Sequence, residues 1–248
     1  MSNDQNKQLQ LILPTSLVHK FLKFCYFMMI FLLCACGNDK TEKTTQEPIS
    51  TEQTEIPVTT VTNNNTILCF GDSITAGYGL DDSNDAFPAI LQQKIDSLEL
   101  NYTVINSGLS GETTAGGKSR INWVMKQNIS VFILELGAND GLRGVPLSET
   151  RLNLQAIIDV VKEKSPETTI ILAGMELPPN MGQDYTTEFR SIYAELAAAN
   201  NLEFIPFILK DVGGIAELNQ SDGIHPTIEG HKTVANTVWE VLKPLVIR

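Results

Sequence analysis

From Thr66 onward the chain alternates short apolar runs with segments of helical periodicity. Residues 66–69, 102–106, 131–134, 169–173 and 202–205 are compact runs rich in Ile, Val and Leu, bounded by Gly, Asn, Asp or Ser, and they read as buried strands. Between them the apolar positions change period. Phe87, Ile90, Leu91 and Leu98 fall on one helical face, with Pro88 tolerable in the first turn. A second helix is expected through Trp123 and Met125, after a polar loop at 107–112. Leu154, Ile157, Ile158 and Val161 sit at i, i+3, i+4 and i+7, with Ser148 as the expected N-cap. Phe189, Ile192, Tyr193 and Leu196 mark a fourth helix, and Val234, Val238, Val241, Leu242 and Leu245 mark the closing one. Strands alternating with helices predict an α/β domain with a five-stranded parallel sheet covered on both faces. Such sheets bind ligands outside the carboxyl ends of their strands.

The first quarter of the chain follows another pattern. Residues 1–23 are polar with Lys7, Lys20 and Lys23, and 24–35 is an apolar run ending at Cys36. A basic flank, an apolar stretch of about a dozen residues and a small residue before the cut define an export signal. The run is short for a span, which takes about 20 residues. Leu33-Cys34-Ala35-Cys36 resembles a bacterial lipobox, making Cys36 the expected lipidation site. An uncleaved N-terminal anchor is the competing reading, and both tether the domain to a membrane. Residues 37–63 are dominated by Thr, Glu, Gln, Asn and Pro, the composition of a solvated linker. The organisation expected is a leader over 1–36, a linker over 37–63 and one domain over 64–248, in an exported cell-envelope lipoprotein.

The net charge of −11, without clustered Lys and Arg, argues against nucleic acid as a partner. Cys69 is the cysteine left in the folded part, so no disulfide framework or zinc spacing arises. Gly116-Gly117-Lys118-Ser119 has the end of a phosphate-binding loop but not its start, since Glu112 stands where the leading glycine is required.

The candidate chemistry collects on one rim. Ser73, in Gly71-Asp72-Ser73, follows the first strand; Gly111 follows the second, Asn139 the third, and Asp222 and His225 follow the fifth. A serine hydroxyl attacks only when a base takes its proton. In Asp222-Gly223-Ile224-His225-Pro226 an aspartate three residues before the histidine can accept from its Nδ1–H, leaving Nε2 for the serine. The N–H groups of Ser73 and Gly111 and the amide of Asn139 are the expected donors to a developing oxyanion. Asp72 and Asp140 are expected to bond local backbone or to support the reacting groups from behind. His231 reads as a surface or packing residue, and Arg143 as a partner in a local ion pair or a guide for an anionic headgroup.

These residues together resemble the SGNH/GDSL hydrolase superfamily across essentially all of 64–248. The block from Glu135 through Asn139 to Gly144 is similar to its bacterial arylesterase/acyl-CoA thioesterase/lysophospholipase branch, as are the stretches 72–79, 176–180 and 222–226. The resemblance implies a three-layer flavodoxin-like fold and hydrolysis of carboxylic esters and thioesters with no metal or other cofactor. It implies a triad of Ser73, Asp222 and His225 and an oxyanion hole of Ser73, Gly111 and Asn139. The expected substrate is a small-molecule or lipid ester, its acyl chain in a groove bordered by 141–145 and 174–184. Two alternatives stay open: a carbohydrate acetylesterase on the same centre, and a lipoprotein that binds acyl groups or glycans without turnover. Acyl length, headgroup and oligomeric state are not fixed by the sequence.

Overall fold

The computed structural model describes residues 65–126 and 128–247. The expected leader, lipidation site and linker lie outside the described residues. Strand β1 (Asn65–Gly71) leads into a four-residue helix α1 (Ser73–Ala76), followed by α2 (Phe87–Ser97), β2 (Tyr102–Gly108) and α3 (Thr114–Val124). Then come β3 (Val131–Glu135), a short α4 (Ala138–Leu142), α5 (Leu147–Lys164) and β4 (Thr169–Ala173). Helix α6 (Gln183–Asn200), β5 (Glu203–Ile205) and α7 (Ile228–Val246) complete the domain.

All strand pairs are parallel, in the order β2-β1-β3-β4-β5. All five residues of β3 are buried, as are the last five of β1. Burial of successive, oppositely directed side chains requires cover on both faces. Helix α2 packs on α7, while α3 packs on α5 and α5 on α6. Phe70 and Phe132 meet across β1 and β3 at 5.5 Å, with Leu91, Ile121, Leu154, Phe189 and Val238 among the buried side chains around the sheet.

The chain reverses its direction across the sheet at β1, which pairs with β2 on one side and β3 on the other. That crevice is where doubly wound sheets place ligands. Gly71, Gly108 and Glu135 lie in register at its lip. A Cβ on Gly108 would lie 2.2 Å from the backbone nitrogen of Ala76, so only glycine lets β2 approach α1 this closely. Gly116 and Gly117 belong to the body of α3. A Cβ at Gly117 would lie 2.4 Å from Leu136 Cδ1, so this glycine serves helix–sheet packing, not phosphate binding.

Three local expectations are corrected. Helix α5 begins two residues earlier than Ser148 as N-cap requires: Pro146 is the N-cap and Ser148 is already helical. Pro146, with φ of −51° and ψ of 125°, leads the chain into the helix, and no side chain caps it. Leu98 is exposed at the C-cap of α2, because the helix stops before it can turn that residue inward. The 174–184 segment is not wholly irregular, since Pro179–Met181 forms a 3₁₀ turn and α6 starts at Gln183. Among the described residues no helix is long and apolar enough to cross a membrane.

Candidate active site

Ser73 is the first residue of α1, straight after the turn that ends β1. Asp72 is the N-cap, its Oδ1 accepting from the Ile74 N–H at 3.0 Å. The cap starts a helix too short to persist alone, and the helix holds Ser73 at the crevice with little freedom. Ser73 is nearly buried, with its Oγ 2.9 Å from His225 Nε2.

His225 comes from the loop before α7. Its Nδ1 is 2.6 Å from Asp222 Oδ2. The other carboxylate oxygen of Asp222 accepts from the backbone N–H groups of Ile224 (2.9 Å) and His225 (3.0 Å). Partial burial pushes the Asp222 carboxyl up, but bonds from the His225 ring and from both N–H groups outweigh it and lower the pKa to about 2. Asp222 is therefore a fixed anion that holds the His225 imidazole in the tautomer with Nδ1 protonated and Nε2 facing the serine. Gln220 fastens this loop: its N–H donates to the His225 carbonyl, and its amide donates to the carbonyls of Pro226 and Tyr78. The Tyr78 ring lies 4.6 Å from the imidazole, centroid to centroid, with the two planes tilted by 45°.

Asn139 lies in α4, immediately after β3, and donates from Nδ2 to Asp72 Oδ2 at 3.1 Å. Gly111 has φ of +79°, the left-handed conformation that glycine adopts without strain. Arg143 donates to the Gly111 carbonyl at 3.1 Å and to Asn139 Oδ1 at 3.3 Å. Asp140 is buried, accepting from the N–H and hydroxyl of Thr114 and from the Thr150 hydroxyl, and so ties α4 to α3 and α5. Beneath Ser73, Glu135 Oε2 accepts from the Asp72 N–H at 3.2 Å and the Thr75 hydroxyl at 2.8 Å.

Beside Ser73 and His225 a cavity of about 490 Å³ opens, lined mainly by apolar side chains that include Ile74, Leu142, Met175, Leu177, Phe207 and Leu209. The structure thus brings Ser73, His225 and Asp222 into one hydrogen-bonded relay, with Asn139 held beside it on Asp72, the residue before Ser73. Gly111 is not among the cavity's lining residues and is linked to Asn139 through Arg143. The expected ion pair of Arg143 is not formed: among the described residues its partners are a carbonyl and an amide oxygen. His231 is a packing residue and not a surface one, fully buried with Nδ1 accepting from the Phe87 N–H. The 207–214 wall of the cavity was not foreseen; Phe207, Ile208 and Leu209 were its one apolar signal, without either period. Tyr78 and Gln220 gave no signal apart from their nearness in sequence to Ser73 and Asp222. Among the described residues no cluster of His, Cys, Asp and Glu could hold a metal ion.

Residues 69–233 match the model of the GDSL-like lipase/acylhydrolase family. The chain is 36% identical over 182 residues to the esterase TesA of Pseudomonas aeruginosa, covering 73% of this chain and 89% of that protein. It is also 36% identical over 182 residues to the thioesterase 1/protease 1/lysophospholipase L1 of Escherichia coli, covering 73% and 85%. Among solved structures it resembles the psychrotrophic esterase EstA from Pseudoalteromonas, in a form inhibited by monoethylphosphonate. That likeness has a TM-score of 0.69 and 30% identity, covering 74% of this chain and 100% of the other.

Proposed function

We propose a mechanism and a substrate range from one premise: the chain belongs to the GDSL-like lipase/acylhydrolase family and is a serine esterase. Ser73 Oγ attacks the ester carbonyl while His225 Nε2 takes its proton, and Asp222 stabilises the imidazolium that results. The oxyanion accepts from the N–H of Ser73, the N–H of Gly111 and the second Nδ2–H of Asn139. The imidazolium then protonates the leaving alcohol or thiol as the C–O or C–S bond breaks, leaving an acyl group on Ser73. Water, deprotonated by His225, attacks that ester, and collapse of the second intermediate returns the hydroxyl and releases the carboxylic acid.

The observation that carries this reading is the Asp222–His225–Ser73 relay, 2.6 Å and 2.9 Å long, at the edge of an apolar cavity. The cavity takes the acyl chain. Its volume of about 490 Å³ far exceeds what an acetyl group fills, which favours longer acyl esters over acetylated sugars. With the leader over 1–36 exporting the chain, Cys36 lipidated and 37–63 as a tether, the enzyme works at an envelope membrane. Lysophospholipids and other extracytoplasmic esters are then its substrates ahead of cytosolic thioesters.

A fluorophosphonate probe, which phosphonylates an activated serine, tests the nucleophile. Wild type should be labelled and should hydrolyse medium-chain nitrophenyl esters and lysophospholipids; Ser73→Ala should lose labelling and at least about 10³-fold in kcat. Undiminished hydrolysis by Ser73→Ala would overturn the mechanism. Preference for acetylated sugars over medium-chain esters would overturn the substrate range.

A further inference from the structure

Arg143 stands four residues after Asn139, the spacing that sets two side chains on one face of a helical turn. Short as it is, α4 delivers that alignment, and Arg143 is its C-cap. One guanidinium nitrogen, Nη2, reaches both the Gly111 carbonyl in the loop after β2 and the Asn139 amide oxygen after β3. The side chain therefore bridges the two donor loops that flank β1.

What this does to Asn139 follows from the shape of a primary amide. Its NH₂ and C=O ends are nearly the same size, so packing alone does not choose between the two orientations. Here the surroundings choose. Asp72 Oδ2 accepts one Nδ2–H, and Arg143 donates to Oδ1. A flipped amide would turn its oxygen toward the Asp72 carboxylate and its N–H groups toward the guanidinium, two repulsive contacts in place of two attractive ones. The observed orientation leaves one Nδ2–H unclaimed by the clamp. The guanidinium charge also offsets the Asp72 carboxylate, which on its own would oppose negative charge beside this amide.

We propose that Arg143 is a positioning residue of the oxyanion hole, holding the Asn139 amide and the Gly111 loop in donor geometry. The proposal rests on the hole assigned under the proposed function. It differs from a headgroup-binding role in what it predicts: the loss appears in turnover of neutral esters and passes through Asn139.

The test is a double-mutant cycle on the full chain with 4-nitrophenyl butyrate, a neutral ester, and a hemisuccinate nitrophenyl ester as the anionic probe. Asn139→Ala should lower kcat about 10²–10³-fold, as loss of one oxyanion donor does. Arg143→Ala should lower kcat about 10–100-fold on both esters, with KM within about twofold, as displacement of a catalytic group does. In the Asn139→Ala background the same change should cost less than about threefold, since the residue it positions is gone. Arg143→Lys should recover part of the loss, because an ammonium can still donate to one of the two oxygens. Equal Arg143→Ala losses in both backgrounds, no loss at all, or a rise in KM confined to the anionic ester would each overturn the positioning role. Full activity of Asn139→Ala would instead remove the hole assignment itself, and the role of Arg143 with it. Thermal melts of each variant exclude a folding defect as the source of a lost rate.

Discussion

Glu135 is a carboxyl group buried where water cannot support its charge, directly under the turn that carries Ser73. Burial, reinforced by the neighbouring Asp72 charge, pushes its pKa well above the ordinary range, which favours its neutral form. Asp72 is also raised by burial, against the pull of the Ile74 N–H and the Asn139 amide, but only to about 6. At neutral pH Asp72 is thus the anion of the pair, as its acceptor role toward Asn139 demands. Glu135→Gln keeps the shape and the neutral charge, so it should change stability by about 1 kcal/mol or less and kcat by no more than about threefold. Glu135→Ala strands the Asp72 N–H and the Thr75 hydroxyl and opens a cavity, and should cost about 3 kcal/mol or more. Urea unfolding of the two variants decides it: equal losses would mean that Glu135 works as a charge. The sequence made the proposed reacting groups legible because chemistry limits the candidates; the domain's histidines are His225 and His231, and one of them follows an aspartate by three. Glu135 was not legible in this way. A glutamate ending an apolar strand reads as a switch to solvent, and its burial depends on Thr75 and Asp72 folding back over it.

At the scale of elements, the strands were readable as apolar runs and the helices as 3.6-residue stripes, because both signals are made by the same core. What stayed hidden were the ends and the contacts between elements. Ser148 looked like a cap by its type, yet Pro146 entered the helix first by its fixed φ. The 207–214 wall follows neither period, since its side chains cover a cavity and not a sheet. The approach of β2 to α1 was equally invisible, although Gly108 marks it. A methyl group there would stand 2.2 Å from Ala76 N and 2.7 Å from Ala76 Cα, both backbone atoms of the helix that presents Ser73. Backbone cannot swing aside as a side chain can. Gly108→Ala should therefore cost about 1–3 kcal/mol and, by shifting α1, lower kcat as well. Gly144 is the control, with φ of +67° and nothing within 4 Å of an added Cβ. Gly144→Ala carries backbone strain of roughly 1 kcal/mol without crowding α1. Unfolding curves and kcat for both variants separate crowding from strain: a Gly108→Ala enzyme with wild-type turnover would show that α1 is free to move away from β2.

The whole domain is joined by contacts that sequence distance conceals, and the one between α2 and α7 gives it a specific response to acid. His231, in the first turn of α7, is fully buried and accepts the Phe87 N–H at the start of α2 at 3.3 Å. Burial, and secondarily the positive charge of nearby His225, lower its pKa from 6.5 to about 4. A folded-state pKa below the unfolded one means that the unfolded chain binds the proton first as pH falls. The stabilisation is therefore complete above about pH 6.5 and lost progressively toward pH 4, by about 3 kcal/mol at 1.36 kcal/mol per unit. Other groups act in different directions. Asp222, lowered to about 2, loses its contribution only as pH drops from about 4 toward 2. Asp72 and Glu135, both raised, favour the folded state as they take up protons, and so oppose the histidine. Their contributions are common to wild type and to His231→Gln, in which an amide oxygen can still accept the Phe87 N–H but nothing titrates. Comparing the two proteins isolates the histidine. Between pH 7 and pH 4, wild type should lose about 3 kcal/mol more unfolding free energy than His231→Gln in urea titrations. Parallel pH dependences would mean that His231 is charged or hydrated in the folded domain, and that the joint between α2 and α7 does not set its acid limit.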